Sequence, residues 1–150
     1  MEPKSIKLPG PNHPITIEPN PARVTVSVAG RIIADTRNAL TLREAGYAAV
    51  QYIPQKDVDM TLLKRTDHHT YCPYKGDCAY YSIPLGGDRS VNAVWTYEAP
   101  YAAVAAIKLR WTVRKLPFQN FTPFEATFPI RKRSPLFTKR SSNSFPSSTF

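Results

Sequence analysis

Apolar residues recur at every second position in several short runs of this chain, the pattern of strands with one buried face. Val24, Val26 and Val28 alternate with Thr25 and Ser27, Ala29-Gly30 supplies a tight turn, and Arg31 to Asp35 returns, so a hairpin is predicted. Leu40 and Leu42 alternate with Thr41 and Arg43 and predict a strand that leads to Glu44; Val50 to Ile53 predict another that stops at Pro54. Leu109, Trp111 and Val113 alternate with Lys108, Arg110, Thr112 and Arg114, which predicts a strand with a polar outer face. Ile15-Thr16-Ile17 reads as a short edge strand among prolines, because proline cannot donate to a sheet ladder. "CAYYSIPL" reads as an aromatic strand, Gly86-Gly87-Asp88 as a turn, and "VNAVWTYEAP" as a strand that Pro100 ends. Helical signals are brief. Asp57 or Asp59 can cap a short helix through Leu63 with Val58, Leu62 and Leu63 facing inward, and "YAAVAAI" suits one or two turns.

Composition agrees with this picture of many short elements. The 150 residues suit one domain with a tail, and 15 prolines against 6 glycines favour turns over long helices. The expected division is a Pro-rich leader over 1–22 packing on the domain edge, a β domain over 23–116, and a tail over 117–150. That tail carries Arg131-Lys132-Arg133, scattered phenylalanines without a period, and a Ser/Thr-rich end; it is expected to be disordered. No run approaches the roughly 18 apolar residues of a membrane helix, and Met1-Glu2-Pro3-Lys4 opens no basic-then-apolar signal region. A cytoplasmic protein with no membrane partner is the expectation.

The formal charge of +9 is unevenly placed. Residues 1–107 hold 11 lysines and arginines against 10 acidic side chains, whereas 108–150 hold 9 against Glu125 alone. Nucleic-acid or acidic-partner binding is therefore expected, if at all, only through the tail 117–150.

The densest chemistry lies in "TYCPYKGDCAYYS", residues 70–82. His68, His69, Cys72 and Cys78 are zinc-ligand types, but five residues separate the cysteines where zinc knuckles use about two to four, and adjacent histidine rings diverge. No metal site is assigned. A Cys72 nucleophile would need a thiolate, which Lys75 could favour; the competing reading is a small buried hydrophobe. The third reading is a hairpin, with Pro73 and Gly76 forming its loop and Tyr74 and Lys75 displayed on it. Arg23 and Glu44 each stand at the end of an apolar alternation. They are solvated strand ends, a structural ion pair, or part of a cleft with Tyr52 and Trp95.

The order "RVTVSVAGRIIADT", "LTLREAGYAAVQYIPQKDVDMTLL", "YCPYKGDCAYYS", "VWTYEAP" resembles the bacterial family called domain of unknown function 427, over about Arg23 to Ile107. The resemblance implies a mainly β fold, the β-tent of two small antiparallel sheets meeting at an angle, with one or two short helices. Methionine sulfoxide reductase B and the thalidomide-binding domain of cereblon share that architecture and use the angle as a ligand cleft. The family also carries a nucleotidyltransferase-type label, for which this chain shows no paired metal-binding carboxylates. The two Cys pairs that hold structural zinc in the wider fold are missing, so zinc is not expected. By motif match the ligand-binding residues are Arg23, Glu44, Tyr52, Cys72, Tyr74, Lys75 and Trp95, with Cys72 and Glu44 as the candidates for any catalysis. The implied ligand is small and polar or anionic. Arg23 and Lys75 would supply charge, Glu44 would accept, and Tyr52 and Trp95 would form walls.

Overall fold

Val24, Val26 and Val28 lose all contact with solvent, while Thr25 and Ser27 between them stay half-buried, so the predicted alternation is realised residue by residue. The computed structural model describes residues 2–114 of the chain and shows it to be mainly β. The expected tail over 117–150 and the last residues of the expected domain lie outside the described residues. In chain order the strands are β1 (Ile15–Asn20), β2 (Val24–Val28), β3 (Arg31–Thr36), β4 (Ala39–Glu44), β5 (Val50–Pro54), β6 (Lys64–Cys72), β7 (Gly76–Ser82), β8 (Val94–Thr96) and β9 (Arg110–Val113). They form two antiparallel sheets of unequal size. Seven strands lie in the order β1-β4-β5-β9-β8-β7-β6, and the hairpin β2-β3 forms a sheet of two.

β5 joins the two halves of the larger sheet. Its first residues pair with β4, Tyr52 opposite Leu40 and Val50 opposite Leu42, and its last pair with β9, Ile53 opposite Trp111 and Pro54 opposite Arg110. Alternate side chains then enter two separate cores. Ile53, Val94, Trp111 and Val113 pack with Val24, Val26, Val28 and Ile33 of the hairpin. Tyr52, Cys78, Tyr80 and Trp95 point the other way and pack with Leu42, Tyr97, Val104 and Ile107. Each fully buried valine of β2 contributes about 2 kcal/mol by removing its apolar surface from water.

Several local expectations are revised. β1 runs six residues and crosses Pro19; an outermost strand tolerates a missing N–H on its unpaired side. In place of one helix to Leu63, two single 3₁₀ turns form at Gln55–Asp57 and Met60–Leu62, with the Asp59 side chain accepting from the Thr61 N–H at 3.1 Å. The intervening chain is stitched to β3 instead, Asp59 N–H donating to the Ile33 carbonyl at 2.7 Å. "VNAVWTYEAP" yields only the three residues of β8, and "YAAVAAI" forms a kinked 3₁₀ segment over Ala102–Ile107. The polar face expected for the closing strand β9 is kept at Lys108, Arg110 and Arg114, which are exposed or half-buried, but not at its centre. Thr112 is fully buried, because β9 lies between β5 and β8, and Leu109 turns outward at φ +52°. Among the described residues no helix is long and apolar enough to cross a membrane.

Gly86 sits where a Cβ would meet Ser90 Oγ at 2.2 Å and Val28 Cγ1 at 3.0 Å. Ser90 cannot yield, since its buried hydroxyl donates to the Ile83 carbonyl at 2.7 Å. Gly86→Ala is therefore expected to cost about 2 kcal/mol through overpacking, read as a lower midpoint in urea unfolding; a midpoint equal to wild type would show that this corner is loosely packed.

Candidate functional site

The site begins with two short sequences that topology brings together. β4 carries Leu40, Leu42 and Glu44 on one face, so the strand that buries two leucines delivers a carboxylate at its end. In the other, β6 and β7 pair with Cys72 opposite Gly76, which leaves Pro73, Tyr74 and Lys75 as the hairpin loop. The Lys75 N–H closes the turn on the Cys72 carbonyl at 3.2 Å, and the Tyr101 N–H ties the Lys75 carbonyl at 3.1 Å. Gly76 follows at φ +110°, a conformation that only glycine adopts without strain, with the Ala99 carbonyl 3.4 Å from where a Cβ would stand. The hairpin reading of "TYCPYKG" is correct, but Lys75 is not displayed. It is 8% exposed and its ammonium forms an ion pair with Glu44 Oε1.

A third segment completes the cluster. His13 precedes β1, and the pairing of Ile15 with Glu44 sets it beside the carboxylate. His13 Nε2 lies 2.7 Å from Glu44 Oε2, and the imidazole stacks on the Tyr74 ring at 3.9 Å with the planes 4° apart. The chain before it crosses the hairpin: Lys7 N–H donates to the Pro73 carbonyl at 3.0 Å and the Tyr71 hydroxyl donates to the Ser5 carbonyl at 2.6 Å. Burial pushes the Glu44 carboxyl up, but the hydrogen bonds and charges of Lys75 and His13 outweigh it and hold the group below its ordinary value.

Glu44 and Lys75 open onto a cavity of about 240 Å³. Its walls are aromatic: Tyr47, Tyr52, Tyr80, Trp95 and Tyr97 all line it. The register explains the convergence, since Tyr80 lies opposite Trp95 and both share the face that carries Tyr52. Burial raises the phenols of Tyr52 and Tyr97 well above the usual tyrosine range, so both stay neutral.

Of the residues named from sequence, Glu44, Tyr52, Lys75 and Trp95 line this one cavity. Tyr74 is one ring removed, stacked on His13. Cys72 is half-buried and packs with the core of Leu42, Tyr52, Cys78 and Tyr97. Burial raises the Cys78 thiol, away from thiolate. Arg23 does not join the group. It forks onto Asp35 across the β2-β3 hairpin at 2.9 and 2.7 Å, on the exposed surface, so neither the Arg23–Glu44 pair nor an arginine in the cleft is formed. The physical reason is that Arg23 and Asp35 flank the first rung of their own hairpin and need no distant partner. The potential zinc ligands separate as well. His68 meets Tyr80 edge-on at 4.5 Å, and His69 Nδ1 lies 3.2 Å from the Asp67 carbonyl. Among the described residues no three of His, Cys, Asp or Glu gather as a metal site. Sequence reading missed His13, Tyr47, Tyr80 and Tyr97. His13 stood in the quoted leader "PGPNHPITI", but its role depends on the β1–β4 register, which no local pattern reveals.

Residues 16–115 match the model of the family described as Domain of unknown function (DUF427), also labelled NTP_transf_9, and the chain belongs to that family. No curated protein matches it.

Removing one partner of a buried ion pair leaves the other charge stranded, so Lys75→Met is expected to cost about 3 kcal/mol, with part recovered in the Lys75→Met/Glu44→Gln double variant; additive losses would mean the two side chains are not coupled. The pH dependence follows from the depressed Glu44 carboxyl. The unfolded chain takes up this proton first as the pH falls, so the stabilisation is complete above the ordinary value of 4.5 and drains away as pH drops through the lower folded value. Glu44→Gln should flatten that part of a stability-versus-pH profile, and an unchanged slope would remove Glu44 from the account.

Proposed function

We propose that the protein binds a small polar ligand in the aromatic cleft between β4, β5, β7 and β8. The observation that carries this reading is the meeting of a Lys75–Glu44 pair with five aromatic rings around one cavity, built from strands far apart in sequence. Lysine carries three donors, and Glu44 uses one of them. The remaining donors suit a carbonyl or comparable acceptor, while the rings suit the flat or apolar body of the ligand. Because Glu44 neutralises Lys75 and Arg23 is elsewhere, a neutral or singly charged ligand fits better than a multiply charged anion. Any chemistry would fall to Glu44, which sits in the cleft as a carboxylate; Cys72 lies in the core behind it.

Tyr47 offers a clean test, since it lines the cavity yet is 71% exposed and supports little of the fold. Native mass spectrometry of the freshly purified full chain is expected to show a non-covalent adduct of small mass. In Tyr47→Ala the adduct should fall in occupancy by roughly tenfold, the loss expected for one aromatic wall, with an unfolding midpoint close to wild type. A wild-type protein that flies bare, or an adduct indifferent to Tyr47, would overturn the reading.

A further inference from the structure

A second concavity of about 310 Å³ lies at the opposite end of β4 from Glu44, between the end of β1, the β3–β4 turn and the start of β9. Arg37, Asn38 and Arg110 line it together with Pro19 and Pro21. Its electrostatics differ from those of the first cleft. Lys4, Arg23, Lys56, Arg65 and Lys75 each pair with a carboxylate, whereas neither Arg37 nor Arg110 makes an ion pair among the described residues. No acidic side chain lines this groove. Asp35, two residues before Arg37, is bonded to Arg23, and the charge of Arg37 is the smallest of the influences on it.

Both arginines line the groove, and the backbone holds one of them in place. Arg110 donates through Nη1 to the Asn38 carbonyl at 2.9 Å, beside Arg37, which leaves most of its five donors unused. The side-chain amide of Asn38 has no partner among the described residues and adds a neutral donor. Like charges placed together without an acid are mutually repulsive, and an anion relieves that repulsion.

We infer that this groove is a binding site for a small phosphomonoester. Two planar forks and an amide present more donors than the two oxygens of a carboxylate can accept, and the three terminal oxygens of a phosphate monoester match them. The proline rings flank the charged donors and offer apolar surface to the carbon body attached to the phosphate. The volume lies at the lower end of the range for small-molecule sites, about 300 Å³ and above, which suits a sugar phosphate in size.

The test uses the full chain, ¹⁵N-labelled, titrated in turn with ribose 5-phosphate, acetate and a short single-stranded oligonucleotide. Ribose 5-phosphate should shift the amides of Asn38, Ala39 and Leu40 and bind in the millimolar range or tighter, with acetate far weaker. Arg37→Gln, a change at an exposed side chain, should weaken ribose 5-phosphate roughly tenfold, the share of a charge-assisted contact, while its melting curve stays at wild type. Arg110→Lys keeps the charge but loses the fork and should weaken binding as well; Tyr47→Ala should leave it unchanged. Absence of saturable shifts at about 10 mM ribose 5-phosphate, equal binding of acetate, or indifference to both arginine variants overturns the inference. So does an oligonucleotide that binds at these amides and is not displaced by ribose 5-phosphate, since the groove would then read a nucleic-acid backbone.

Discussion

The pair formed by Glu44 and Lys75 is the constraint on which the site depends. It ties the end of β4 to the tip of the β6–β7 hairpin, two elements from opposite sides of the larger sheet that are not neighbours in its order. Taking both charges out of water is costly, and their attraction offsets the cost only when the remaining valences are filled. His13 fills one of them, and Tyr74 fixes the imidazole by stacking on it. A third segment of chain is thereby drawn over the hairpin loop. The arrangement holds the walls of the cleft at a defined spacing, which hydrophobic packing alone, being non-directional, would not impose.

The cleft and the Arg37 groove occupy opposite ends of β4, and the same strand gives them contrasting character. At Glu44 a buried acid cancels a buried lysine, and aromatic rings provide most of the remaining surface. Near Ala39 and Leu40 the positive charges are left uncompensated at the surface. For the ligands proposed, selectivity in the first would rest on shape and single hydrogen bonds, and in the second on charge and the geometry of planar forks.

Much of the fold was legible because it follows period-two alternation. Val24, Val26 and Val28, and the leucines before Glu44, announce which face is buried, and the structure agrees. β9 was located correctly, and of its expected polar face only Thr112 departs from the reading. Alternation assumes that one side meets water, and at Thr112, where β9 runs between β5 and β8, that side is buried. Four cleft residues could be named from the family pattern, since Glu44, Tyr52, Lys75 and Trp95 stand in quotable motifs. Arg23 was misplaced because a charge at a strand end looks the same whether its partner is twelve residues away or across the molecule. Tyr97 and Tyr47 were invisible for a different reason: nothing local separates a tyrosine that lines a cavity from one that packs a core.

β6 closes one side of the larger sheet with nine residues, several of them exposed. A long outer strand of that kind would ordinarily be a template on which other chains add and aggregate. Here the register slips between Arg65 and His69, Thr66 Oγ1 donates to Asn92 Oδ1 at 2.5 Å within the slip, and Lys64, Arg65 and Asp67 crowd the rim with charge. The irregularity bends the outer ladder of donors and acceptors out of line, so a straight incoming strand finds no continuous register. The hairpin that carries the lysine of the cleft thus also breaks the regular edge of the sheet.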